Sequence, residues 1–216
     1  MGCMRNGWIA AAMAIVLAFA IAFWFYPQIP DRIAVHWGIE GNADGFAQKE
    51  FWIFLVPILM VVLALLLYII PKMDPKRKNI EQFWEKYCWF IAAIEIFMLY
   101  LQALIVVWNM GIEFNMGQAL APAFAGLFYF MGSLVQVAKQ NWTIGIRTPW
   151  TLSSKGVWEK THKLGGKLFK ACAVLCLLGI LLPKYSLVFV VAPVLFSAVY
   201  LFAYSYIEYS NERKGK

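Results

Sequence analysis

The residues with chemistry to offer are few and fall in three places. The densest group is segment 141–166, N-W-T-I-G-I-R-T-P-W-T-L-S-S-K-G-V-W-E-K-T-H-K-L-G-G, polar and aromatic between long apolar blocks. Arg147 stands alone there among uncharged residues, where a guanidinium ordinarily binds a carboxylate, a phosphate headgroup or a cluster of carbonyls. His162 has the residue type of a titrating switch, but packing or capping is the expected role. The second place is Glu95, an acid well inside an apolar block, where a charge is costly. It is expected to be a functional group, proton-sensitive or ligand-facing, or else a neutral acid hydrogen-bonded to a neighbouring helix or one near enough to the cytoplasmic end to reach water. Gln102 lies two helical turns further on the same face. The third is loop 27–50, with His36 among Pro30, Asp31, Trp37, Gly41, Asp44 and Gly45. No nucleophile and base pair, phosphate loop or metal set emerges, so no enzyme, cofactor or metal is expected.

The elements that must position these groups belong to a membrane protein. The 216 residues are 62% hydrophobic and only 14% charged, with a mean hydropathy of +0.65, whereas soluble domains have about 25% charged residues. Apolar blocks at about 7–26, 51–70, 87–108, 118–138, 168–182 and 186–207 each suit a helix crossing the hydrocarbon core. The expected fold is all-α and polytopic, with six transmembrane helices in three hairpins: 1–70 with its loop 27–50, 71–138, and 139–216 beginning with motif 141–166. Ala18-Phe19-Ala20 resembles a signal-peptide cleavage site, but the apolar run continues through Tyr26 and predicts an uncleaved helix. Met1-Gly2-Cys3 fits a myristoylation signal poorly, because position 6 is Asn.

Charge orients the helices. Of the 19 bases, 16 lie on one side: Arg5, five between Lys72 and Lys86, seven from Lys139 to Lys170, and three in the tail. Arg32, Lys49 and Lys184 fall on the other. Positive-inside logic puts both termini and segment 141–166 in the cytoplasm and loop 27–50 outside. His36 and His162 are then on opposite faces and cannot share a metal. The net charge of +7 follows membrane topology and not a nucleic-acid face, so no direct nucleic-acid partner is expected. Cys3, Cys88, Cys172 and Cys176 form no C-x-x-C pair, and Cys172 and Cys176 are expected simply to pack.

Local signals refine the loops. Ile33, Val35 and Trp37 alternate as in a short strand, and Asp44-Gly45 reads as the tight turn after it. Segment 141–150 should be extended or irregular, because Gly145 interrupts it and Thr148 precedes Pro149. A helix should start at Ser153 or Ser154 and stop at Gly165-Gly166, making an interfacial amphipathic helix with Val157, Trp158 and Thr161 on one face. Trp142, Trp150 and Trp158 are expected as interfacial anchors. Gly126 and Gly132 are expected as close-packing positions.

The motif G-I-R-T-P-W-T-L-S-S-K-G-V-W-E-K-T-H-K-L-G-G resembles that of the SdpI-type membrane proteins, the immunity family for the sporulation-delaying toxin. I-P-D-R-I-A-V-H-W-G-I-E-G-N-A-D-G-F resembles the short domain of unknown function that commonly precedes that motif. The chain departs from the family pattern at Ala34 and Ala43, often proline, at Gly38, commonly Asn, and at Gly156, often an acid. The resemblance implies Asn141, Gly145, Arg147, Thr148, Pro149, Trp150, Ser153, Trp158, Thr161, His162, Gly165 and Gly166 as motif or partner-binding residues. It also implies a protein of the bacterial cytoplasmic membrane that protects its cell against a membrane-active peptide toxin. Two further readings compete with it. One makes the motif a dock for a cytosolic transcriptional repressor, on its seven nearby bases and exposed aromatics, with Arg147 and Trp158 as the residues whose loss would release the partner. The other makes Glu95 the centre of a small proton-coupled transporter. The lipid bilayer is a partner in every case, and the oligomeric state is open.

Overall fold

The computed structural model describes residues 2–214; the side chains of the first five residues, Cys3 and Arg5 among them, lie outside what is described. In chain order the elements are α1 (Gly2–Phe25), β1 (Arg32–Trp37), β2 (Ala43–Gln48), α2 (Lys49–Ile69), α3 (Arg77–Glu81), α4 (Trp84–Asn109), α5 (Met116–Val135), α6 (Pro149–Ser153), α7 (Lys155–Leu181) and α8 (Ser186–Lys214). Among the described residues six helices are long and apolar enough to cross a membrane: α1, α2, α4, α5, α7 and α8. Backbone hydrogen bonding explains the choice of helix, since lipid offers the peptide groups no partners.

Side-chain size decides which faces touch. On α1, Ala11, Ala14, Ala18 and Ala22 are buried while Met13, Val16, Leu17, Phe23 and Trp24 remain exposed on other faces. The alanine stripe lets α1 lie along α4, as small residues do in membrane interfaces. At Gly7 even one added carbon would meet the Cys88 backbone at 3.0 Å. α5 and α7 come equally close, for a Cβ at Gly132 would stand 2.7 Å from the Gly166 carbonyl oxygen. Gly126, expected to do the same, has no neighbour within 4 Å. It opens onto a groove between α4 and α5 lined by Phe97, Tyr100 and Phe130. Cys172 and Cys176 are buried, in a cluster with Phe128 and Val190.

Three local expectations need correction. The helix beginning after Ser154 does not stop at Gly165-Gly166 but continues as α7 to Leu181. Neither glycine has the positive φ of a helix stop. Both instead admit neighbours: a Cβ at Gly165 would meet Ile146 Cδ1 at 2.3 Å, and one at Gly166 would meet Gln136 Cγ at 2.1 Å. The segment expected as a separate interfacial helix is therefore the first three turns of α7. Likewise the tail after Ile207 stays helical to Lys214, carrying Glu208 and Glu212 back against α7.

The third correction concerns the hairpin. β1 and β2 pair antiparallel, as in Ile33 with Ala47 and His36 with Gly45. The reversal is made by 38–42, where the Gly38 N–H donates to Asn42 O and Gly41 takes φ +81°. Asp44-Gly45 therefore lies inside β2, where the register shifts. Gly45 is needed for close strand approach, because a Cβ there would stand 2.8 Å from His36 Cβ.

Candidate functional site

The two ends of the bundle carry the sequence-predicted groups, and the motif end is the more tightly built. Asn141, fully buried, organises the loop through four hydrogen bonds. Its amide nitrogen donates to Lys139 O at 2.8 Å and Ile144 O at 2.9 Å, while its oxygen accepts from the N–H groups of Thr143 and Ile144 at 2.8 and 2.6 Å. One side chain thus satisfies a non-helical segment that would otherwise bury bare peptide groups.

Around that loop sits the ring pair His162 and Trp158. The rings stack at 3.8 Å between centroids and 17°, and both are buried. The Trp158 indole donates to Ala138 O at 2.8 Å. The Ile146 N–H donates to His162 Nε2 at 3.0 Å, and Nδ1 lies 2.8 Å from Trp158 O. An Nε2 that accepts leaves the proton on Nδ1, so this arrangement needs the neutral ring. Gly145, φ +121°, is where the loop passes the ring, and a Cβ there would stand 2.4 Å from Nε2. His162 is thereby a packing and capping residue, as expected. Trp158 is not an exposed anchor: it lies in the core with Tyr87, Ile91 and Leu134, on the buried face of α7.

The segment 148–154 is a double cap. Thr148 and Thr151 bond each other's backbone N–H groups reciprocally, with Pro149 opening α6. Ser154, and not Ser153, caps α7. Ser153 instead donates to Pro149 O. The long eighth helix seals the arrangement: Ser205 Oγ meets Thr148 Oγ1 at 3.0 Å, Ser154 donates to Glu212 at 2.5 Å, and Lys160 pairs with Glu208 at 2.7 Å. Trp150 packs between Phe202 and Tyr206 of α8. Thr161 is buried with its hydroxyl unpartnered among the described residues.

Residues that sequence reasoning passed over tie in the loop before α4. Asp74 Oδ2 accepts from Trp142 N at 2.8 Å and Thr143 Oγ1 at 2.6 Å, and Oδ1 accepts from Lys76 N. Gln140 receives Lys76 Nζ and donates to Thr151 and Leu152 carbonyls. The Thr-Pro-x-Thr pattern at 148–151 was a readable cap signal. Asp74 carried only a turn signal, Asp before Pro.

Arg147 is exposed, donating to Trp142 O at 2.7 Å. It makes no ion pair among the described residues. Beside it a cavity of about 490 Å³ runs between the motif loop and the ends of α2, α4 and α5, lined by Leu67, Ile70, Tyr87, Phe90, Leu134 and Phe169 among others.

At the hairpin end the clamp is Asn109, the last residue of α4. Its side chain accepts from Ala34 N at 2.7 Å and donates to Ala34 O at 3.1 Å. Trp37 meets Trp108 edge to face at 5.8 Å. Asp31, after Pro30, pairs with Lys49 at 3.0 Å, and His36 Nδ1 lies 2.5 Å from Asp44. The turn reaches the other loops on this side: Asn115 donates to Glu40 O, Met116 N donates to Gly41 O, and Lys184 stands 3.7 Å from Glu40. His36 and His162 are at opposite ends of the bundle.

Between the ends, Glu95 is completely enclosed, and neither carboxyl oxygen has a hydrogen-bond partner among the described residues. Gln102, on the same helix, donates to Ile53 O at 3.0 Å, joining α4 to α2. The two do not bond each other.

Two family models match the chain: a domain of unknown function, DUF1648, over residues 13–61, and the SdpI/YfhL protein family over residues 137–205. The first match ends within α2 and contains the hairpin; the second contains the motif and α7 and ends within α8. The immunity protein SdpI of Bacillus subtilis (strain 168) is 26% identical over 210 residues, covering 94% of this chain and 96% of that protein. No solved structure matches.

Proposed function

Because this chain belongs to the SdpI-type family and spans the bacterial cytoplasmic membrane, we propose that it protects its cell against a secreted, membrane-active peptide by binding it at the membrane. The observation that carries this reading is the end-to-end similarity to an immunity protein, which includes hairpin, spans and motif together.

The charge distribution orients the molecule with its hairpin outside, on the side from which a secreted peptide arrives. That hairpin and the start of α2 expose Ile39, Phe46, Phe51 and Trp52. Apolar side chains at the bilayer surface offer contacts to a peptide partitioned into the interface. The Asn109 clamp holds this surface against α4, so a contact made there needs little ordering of the loop.

Expression of the chain in a toxin-sensitive strain preserves membrane potential on challenge with the cognate peptide. Unchanged killing across several peptides of this class would sink the proposal. Phe46→Ala together with Ile39→Ala lowers protection while the amount of protein in the membrane stays the same.

A further inference from the structure

We propose that the cavity beside Arg147 is a binding site for one anionic glycerophospholipid, its phosphate on the guanidinium and an acyl chain in the cavity. This goes beyond the immunity reading and does not depend on it.

Three observations combine. First, the cavity is apolar in its depth, where Leu67, Phe90, Leu134 and Phe169 line it. Its volume of about 490 Å³ falls in the range of small-molecule sites, roughly 300–1,000 Å³. Second, among the described residues the one cation lining it is Arg147, whose guanidinium donates to the Trp142 carbonyl and makes no ion pair among them. An acid on the facing loop is already engaged: Asp74 is buried and accepts from Trp142 N, Thr143 Oγ1 and Lys76 N. Third, the cavity lies where the spans α2, α4 and α5 end and the polar loop begins, with the exposed Trp142 at its border. Tryptophan at such a border suits headgroup depth.

These features select the ligand class. A guanidinium free of carboxylates offers several N–H donors to a phosphate. An apolar cavity below it takes a hydrocarbon chain and not a second charge. A zwitterionic phospholipid supplies the same phosphate with its charge offset by the choline, so the preference is for a net negative headgroup. The Asn141 hub and the His162 bond to Ile146 fix the loop that forms one wall of the cavity.

The test uses the full chain purified in detergent and supplied with phosphatidylglycerol or phosphatidylcholine of matched acyl chains, with bound lipid read by native mass spectrometry. The wild type retains the anionic lipid about fivefold better, the effect of one basic residue near a charged headgroup. Arg147→Gln removes that preference, and Arg147→Lys keeps part of it. Met131→Trp, which fills the cavity, lowers retention of both lipids. Glycerol phosphate, which has no tail, does not compete. Equal retention by the wild type, a preference surviving in Arg147→Gln, or displacement by glycerol phosphate would each overturn the proposal. A co-purifying peptide in the cavity in place of lipid would overturn it as well. Unchanged thermal unfolding of Arg147→Gln separates loss of the site from loss of the fold.

Discussion

The two ends of the bundle solve one problem in different ways. Each must hold a non-helical loop against helix ends without leaving peptide groups bare. At the hairpin end the two strands satisfy each other's backbone along their shared edge, and the Asn109 side chain satisfies Ala34 and fastens the ladder to α4. At the motif end there is no ladder, so Asn141, Gln140, Asp74, His162 and the Thr148–Thr151 pair supply partners one by one. The hairpin is therefore a paired unit fastened at separate points, by Asn109 at Ala34 and by Asn115 and Met116 at its turn. The motif is a network in which four segments of chain depend on each other.

That contrast can be broken at either end. Asn141→Ala has the largest effect: it strands several buried backbone groups and lowers stability by about 3–4 kcal/mol, read as earlier thermal unfolding in detergent. Melting within a degree of the wild type would mean that the loop does not depend on its hub. Gly145→Ala comes next, at about 2–3 kcal/mol, because φ is +121° and the new carbon meets His162. Its effect should be confined to the motif end in hydrogen exchange.

Asn109→Ala costs about 2 kcal/mol, but its signature is local: faster amide exchange across 32–48 with the motif end unchanged. Ala34→Pro should reproduce it, because proline lacks the N–H that Asn109 accepts. Exchange rising at both ends would show that hairpin and motif are coupled after all. Glu95→Leu moves the other way and raises stability by about 1 kcal/mol, because it removes two buried oxygens without partners. A loss of stability there would reveal a partner for that carboxyl.

Much of the fold was legible because the bilayer imposes it. Once apolar blocks must span hydrocarbon, their number, length and helical nature follow from composition. Within the motif, Asn141, Gly145, Thr148, Trp158 and His162 meet in one packed network. What each residue does there was not legible. Trp158 read as an interfacial anchor and is core, since a tryptophan's neighbours, and not its type, decide whether it is buried. Asn109 falls just outside the apolar block 87–108, and nothing local announces a bond to Ala34, 75 residues away.

By itself, then, the sequence determined the six spans, their expected orientation and the residues of the motif, because hydropathy and charge act on each segment separately. Tertiary structure alone decided that Gly165 and Gly166 are contacts and not a helix stop, that the hairpin turns at 38–42, and that Arg147 stands over an apolar cavity. The physical reason is common to all three. A glycine, a turn or a lone cation is compatible with several local conformations, and the choice is made by whatever other segment packs against it.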